Sequence, residues 1–115
     1  MASLGFQSAV LGMLAAFAAL PPAPAGAACF ESGVGCTNSG VMPYPALRRL
    51  SCDALWTVRN TIYYENGYCF QTARGRAAFD DGSCAYTDVG MVPLNAYERE
   101  NIGRVVRVER ERGCR

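Results

Sequence analysis

Hydrophobic and polar positions divide the chain into an apolar N-terminal run, a stretch without periodicity, and two segments with helical spacing. From Ser51 onward Leu55, Val58 and Ile62 recur three or four residues apart, with Arg59 and Asn66 on the same pattern, as on one face of an α-helix. Ser51 suits an N-cap, Asp53 a first turn where the helix dipole favours negative charge, and Gly67 a left-handed C-terminal residue. A helix is therefore predicted over about residues 51–66. In the second segment Asn95 and Glu98 have capping-box spacing, Ile102, Val105, Val106 and Glu109 line one side, and Gly113 ends the run, which predicts a helix over about 96–112. Between them Ala73 to Phe79 suits a short helix, and Asp80-Asp81-Gly82-Ser83 a turn. Cys29 to Leu50 is broken by Gly33, Gly35, Gly40, Pro43 and Pro45 and reads as ordered loop. The expected fold class is mainly α: two longer helices, a short one near 73–79, and a loop-rich N-terminal segment.

The apolar run has another meaning. Met1 to Ala28 contains no charged side chain, and its apolar stretch from Ala9 to Leu20 is followed by Pro21, Pro22 and Pro24, then Ala25-Gly26-Ala27. An apolar core, a helix stop and a small-x-small triplet in that order are the marks of a signal peptide. We expect it to span residues 1–27, with cleavage after Ala27 or Ala28, although the n-region has only its α-amino charge because the first basic residue is Arg48. A permanent anchor needs about 20 apolar residues and basic flanks, and the prolines interrupt the run. Lipid attachment at Cys29 is set aside because Gly26 stands where that signal has a Leu-type residue. The expected location is periplasmic or secreted, without stable membrane insertion after cleavage. Residues 28–50 then form the loop-rich part of the mature domain and 51–115 its helical part.

A mature chain of fewer than about 90 residues buries too little surface to rely on its core alone. Six cysteines, at positions 29, 36, 52, 69, 84 and 114, are an even number in an exported chain and read as three disulfides. Zinc is not expected, since the chain has no histidine and no Cys-x-x-Cys pair. No other metal or cofactor is implied. Eleven arginines against ten acidic residues leave no basic stripe for nucleic acid.

Helix length limits the pairing of the cysteines. A helix from Cys52 to Asn66 is about 22 Å long at ~1.5 Å per residue, whereas bridged cysteines have Cα atoms within about 7 Å. Cys52 cannot reach Cys69 if that helix is continuous. Laid antiparallel, the last helix brings Cys114 beside Cys52, which leaves Cys69 for Cys84 and the short Cys29 to Cys36 interval for a local bridge. In the loop-entropy description the long bridge stabilises the fold by about 4 kcal/mol and the Cys69 to Cys84 bridge by about 3 kcal/mol.

Ser51-Cys52-Asp53-Ala54-Leu55-Trp56, Arg59-Asn60, Ile62-Tyr63 and Gly67-Tyr68-Cys69-Phe70 together resemble the bacterial extracellular YARHG domain. Phe79, Gly82, Cys84, Val92-Pro93-Leu94, Glu98-Arg99, Asn101-Ile102, Glu109 and Gly113-Cys114 resemble its second half, so the likeness covers about residues 50–114. The chain departs from the family at the eponymous stretch, where Tyr63-Tyr64-Glu65-Asn66-Gly67 keeps only the first and last residues. The resemblance implies a secreted or envelope-associated domain without implying a reaction.

Without histidine, and with every cysteine expected in a bridge, serine-histidine and cysteine-histidine catalysis lack their parts. Glu65, Asp80, Asp81, Glu98 and Glu109 could form an acid-base pair acting on cell-wall polysaccharide. Each also has a structural reading: Asp80 and Asp81 in a turn, Glu98 in a cap, Glu65 on an exposed helix end. Tyr64, Glu65, Asn66 and Tyr68 form a candidate binding surface in which rings adjoin hydrogen-bonding groups, whereas Trp56, Tyr63 and Phe70 are expected in the core. Arg59 is expected to pair with Glu109 or Glu98. Arg104, Arg107, Arg110 and Arg112 could touch anionic polymers, but the acidic residues among them largely cancel the field. The expected function is a non-enzymatic exported module that binds an envelope polymer or protein partner; the alternative is a small carboxylate-dependent hydrolase.

Overall fold

The Ser51 hydroxyl accepts the Ala54 N–H at 3.1 Å and starts a helix, α2 (Cys52–Glu65), that follows the short α1 (Tyr44–Leu47). The structure, a computed structural model, describes residues 28–30 and 33–115; the expected signal peptide, residues 1–27, lies outside the described residues. α2 ends at Gly67, whose φ of +88° is open to a glycine at little cost. There Tyr68 N–H reaches Tyr63 O at 3.0 Å and Gly67 N–H reaches Tyr64 O at 3.1 Å. The long C-terminal helix α4 (Ala96–Glu111) ends in the same way at Gly113, with Cys114 N–H on Glu109 O at 2.9 Å. At its start Asn95 and Glu98 exchange side-chain and backbone hydrogen bonds in a capping box. Between the long helices lie α3 (Ala73–Phe79) and a 3-10 turn, Val89–Met91.

α2 and α4 run antiparallel. Cys52 at the start of α2 is bridged to Cys114 beyond the end of α4, with Cα atoms 5.5 Å apart. At the other end, Asn66 Nδ2 donates to Glu98. α2 buries Leu55, Val58 and Ile62, and α4 buries Val105 and Val108. With Val34, Met42, Ala46 and Leu47 from the N-terminal segment, most of these form one aliphatic cluster. The expectation that Trp56, Tyr63 and Phe70 fill this interior is corrected: all three are only half buried. The narrow space between two close helices is filled by branched aliphatic side chains, and the large rings collect on the outer side of α2. The expected face of α4 also shifts, since Val105 and Val108 are buried with Asn101 and Glu98, whereas Ile102 and Val106 stay half exposed.

The inward face of α4 is therefore apolar at one end and polar at the other, and its polar end holds the N-terminal segment. Asn101 is fully buried. Its Oδ1 accepts the Met42 N–H at 2.8 Å, and its Nδ2 donates to the carbonyls of Gly40 at 2.8 Å and Thr37 at 3.1 Å. One side chain thereby satisfies three backbone groups of a segment whose glycines and prolines make no continuous ladder. α1 follows, with Pro45 in its first turn, where a missing N–H costs nothing. The Tyr44 ring lies under the Arg48, Arg104 and Arg107 guanidinium groups, 4.4 to 5.1 Å from their carbons. Upstream, β1 (Cys29–Phe30) pairs antiparallel with β2 (Gly35–Cys36), and the Cys29–Cys36 disulfide joins directly opposed residues.

Arg59 and Glu109 form a two-pronged ion pair across the helices, Nε to Oε1 at 2.7 Å and Nη2 to Oε2 at 3.1 Å, with both side chains largely covered. Glu98, the other partner considered, is engaged by Asn66 and the Asn95 cap. Arg59→Ala should lower stability in denaturant unfolding by about 2–3 kcal/mol, because it leaves a covered carboxylate uncompensated; a melting temperature unchanged within error would refute the pairing. Asn101→Ala orphans one buried donor and two acceptors and should cost about 3 kcal/mol, with faster hydrogen exchange at the Met42 amide. A loss no larger than that of an exposed Asn→Ala control would contradict this role.

Candidate functional site

Beyond Gly67 the chain turns back beside residues 84–86. Cys69 N–H donates to Tyr86 O at 2.7 Å, and the Ala85 and Tyr86 N–H groups both donate to Gly67 O, at 2.8 and 2.9 Å. The Cys69–Cys84 disulfide closes the same turn. A side chain at position 67 would meet the Tyr86 ring at 3.3 Å, so close contact as well as φ calls for glycine there. α3 is then capped by Thr72, whose hydroxyl accepts the Gly75 N–H at 3.0 Å. Gly75 lies so near Phe70 that a Cβ would stand 2.6 Å from the ring. The helix is thus laid directly on an aromatic side chain, a closeness only glycine allows.

The rings form a connected array. Phe70 and Phe79 stack with centroids 4.9 Å apart, and Tyr68 meets Phe70 edge-on at 4.9 Å. Tyr64 and Trp56 flank Phe79 at 5.3 and 5.8 Å, and Tyr63 follows Tyr68 at 5.9 Å. Such tilted, offset and edge-on contacts suit the ring quadrupole. Arg74 caps the outer end, its guanidinium carbon 3.9 Å from the Trp56 ring centre and its Nη2 2.9 Å from Asp53.

These rings and the disulfide turn enclose a concavity of about 230 Å³, lined by Tyr64, Tyr68, Phe70 and Phe79, by the Cys69–Cys84 bridge, and by Gln71, Arg76, Asp80, Asp81 and Ser83. The polar rim is organised. Arg76 Nε donates to Phe70 O at 3.0 Å, and Gln71 Nε2 to Cys69 O at 2.8 Å. Asp81 accepts from the Ser83 hydroxyl at 2.6 Å and from the Tyr64 hydroxyl. Those two contacts, the serine's first, pull the Asp81 carboxyl down to about 2, and the same Asp81 contact pushes the Tyr64 phenol up. The site therefore offers apolar ring faces beside a fixed carboxylate, a guanidinium, an amide and hydroxyls.

Of the four residues expected to form one surface, the structure brings only Tyr64 and Tyr68 together. Glu65 and Asn66 face the other way. Glu65 is half buried rather than on an exposed helix end, and accepts the Thr37 hydroxyl at 2.8 Å; burial raises its pKa. Asn66 is taken up by Ile62 O and Glu98. Successive helix residues point about 100° apart, so adjacent positions cannot share one face. Phe79 and Arg76 line the concavity, and Gly75 lets α3 close on Phe70; none of the three reads as functional in the sequence alone. The isolated glycine in a helical stretch is the signal that could have found them, since it marks close packing. On α4, Arg104 and Arg107 are held by Glu100, Glu111 and Tyr44, and Arg112 by the Arg48 and Leu50 carbonyls, which limits their use on a polymer. Among the described residues no cluster of acidic or cysteine side chains is arranged to hold a metal ion.

The family model of the YARHG domain matches residues 36–110, from β2 to the last turn of α4. It reaches back through the segment held by Asn101. No curated protein and no solved structure matches the chain.

Because the Asp81 carboxyl is depressed, its contacts are fully present above the ordinary value of 3.8 and are lost as pH falls through about 2. In a carboxyl NMR titration Tyr64→Phe should raise the Asp81 pKa toward 3.8, with Ser83 retaining part of the depression. An unaltered midpoint would show that the phenol does not hold this carboxylate.

Proposed function

The chain belongs to the YARHG domain family, an extracellular family, and on that premise we propose that it is an exported, non-enzymatic module that binds an envelope polymer through the aromatic concavity. Three disulfides fit an exported protein, since such bridges persist in oxidising compartments. No helix among the described residues is long and apolar enough to cross a membrane. The expected signal peptide over residues 1–27 supplies the route, and release into the periplasm or medium follows its removal.

The observation that carries the reading is the union of stacked rings with a preset polar rim. A sugar ring has apolar C–H faces and hydroxyl edges, which match the Tyr68 and Phe70 rings and the Arg76, Gln71 and Asp81 groups. The size of the concavity supports binding over turnover. At about 230 Å³ it falls below the roughly 300 Å³ at which sites begin to bury most of a ligand. It admits one residue of a polymer and leaves the rest in water. An acid catalyst for glycoside cleavage needs a raised carboxyl pKa, whereas Asp81 is held low and Glu65, which is raised, faces away. These features favour the module over the carboxylate-dependent hydrolase.

The oxidised mature domain should sediment with insoluble peptidoglycan and release no soluble fragments from it. Tyr68→Ala and Asp81→Asn should each weaken retention about tenfold, a stacking or hydrogen-bond contribution of ~1.4 kcal/mol, while Arg110→Ala on the far helix leaves it intact. Equal retention of all four proteins would dismiss the concavity as the site. Turnover abolished by Glu65→Gln would favour the hydrolase.

A further inference from the structure

Ala28 lies against the last turn of α2, on the side away from the aromatic concavity. Its carbonyl accepts the Thr37 N–H at 2.9 Å, and the Thr37 hydroxyl donates to Glu65 Oε2 at 2.8 Å. The Ala28 backbone also lies near enough to the same carboxylate to favour its charged form. Ala28 is one residue from the Cys29–Cys36 bridge and the paired strands, so its nitrogen is positioned by covalent and backbone constraints.

The charge at this place is unbalanced. Glu65 is half buried, and Glu98 lies near enough to repel it. Among the described residues neither forms an ion pair with an arginine, and Arg59, in the same helix as Glu65, is committed to Glu109. Asn66 and Thr37 supply hydrogen bonds but no positive charge. A half-buried carboxylate with a second carboxylate nearby gains most from a cation delivered close to it.

Export would deliver one. The Ala25-Gly26-Ala27 triplet directs signal peptidase to the bond before Ala28. Water adds to the Ala27 carbonyl carbon, the C–N bond breaks, Ala27 leaves as a carboxylate, and the Ala28 nitrogen takes up a proton as an α-ammonium. We infer that cleavage at Ala27–Ala28 creates the cation this site lacks, and that the new α-ammonium docks on Glu65 as a salt bridge that locks the β1–β2 segment onto α2. Thr37 already links the Ala28 backbone to the Glu65 carboxylate, so processing changes the charge and the number of donors of a nitrogen held beside it. The mature domain thereby gains a contact that the precursor cannot make. This step rests on the export reading above.

The chain contains no lysine, so its α-amine is the only amine an acylating reagent can modify. The oxidised domain beginning at Ala28, prepared by trimming a fusion, is compared before and after N-acetylation, with hydroxylamine reversing any acylation of tyrosine. The melting temperature should fall on acetylation by about 4–8 °C, and Glu65→Gln should remove most of that difference. No change on acetylation, or an equal change in Glu65→Gln, overturns the salt bridge. If Glu65→Gln does not fold, NMR titration of the ¹⁵N-labelled Ala28 amine decides: a pKa above about 9 supports the contact, and the ordinary value of about 7.7–8.0 overturns it. The N-terminus of the chain recovered from the producing cells separates this inference from the export reading. A chain starting at Ala28 supports both, a chain starting at Cys29 overturns this inference alone, and a chain retaining its N-terminal segment overturns export along with it.

Discussion

The antiparallel contact of α2 and α4 is the constraint on which the other parts rest. It is closed at one end by the Cys52–Cys114 bridge, in the middle by Arg59 and Glu109, and at the other end by Asn66 and Glu98. The fully buried side chains packed around these ties are aliphatic, with Phe30 and Tyr44 only partly buried against them. So small an interior stabilises a domain only weakly, and covalent closure of a long loop offsets the deficit by lowering the entropy of the unfolded chain.

The contact also sorts its neighbours. On one side, the polar end of α4 presents Asn101, which holds Thr37, Gly40 and Met42 in the stretch between β2 and α1 that has no ladder of its own, while Glu98 ties α4 to the end of α2. On the other, the outer face of α2 presents Trp56 and Tyr64, and α3 with the Cys69–Cys84 turn covers them incompletely. One face completes the fold, and the other leaves ring surface and a polar rim open to solvent.

Much of this was legible in the chain. Capping chemistry is local, so Ser51, Asn95 with Glu98, Gly67 and Gly113 mark helix ends within a residue or two of where they fall. Helix length is local too, and with two helices of similar length it excludes a Cys52 to Cys69 bridge and points to the three pairs found in the structure. The site was half legible. Tyr64 and Tyr68 are visible as rings near a helix end, but Glu65 and Asn66, their neighbours in sequence, point to Thr37 and Glu98 instead. Phe70 reads as core because large apolar side chains are usually inside, whereas α3 places it in the wall of the concavity.

By itself, then, the sequence determined where the helices start and stop, how the cysteines can pair, and that the domain needs crosslinks, because these follow from spacing, capping and chain length. Tertiary structure alone decided which face of α2 each ring occupies, that Asn101 holds three backbone groups at once, that Glu65 meets Ala28, and that Gly75 lies on Phe70. Each of those joins residues through the direction in which helices cross and the distance at which they stop. Such quantities emerge only when the whole chain is packed together.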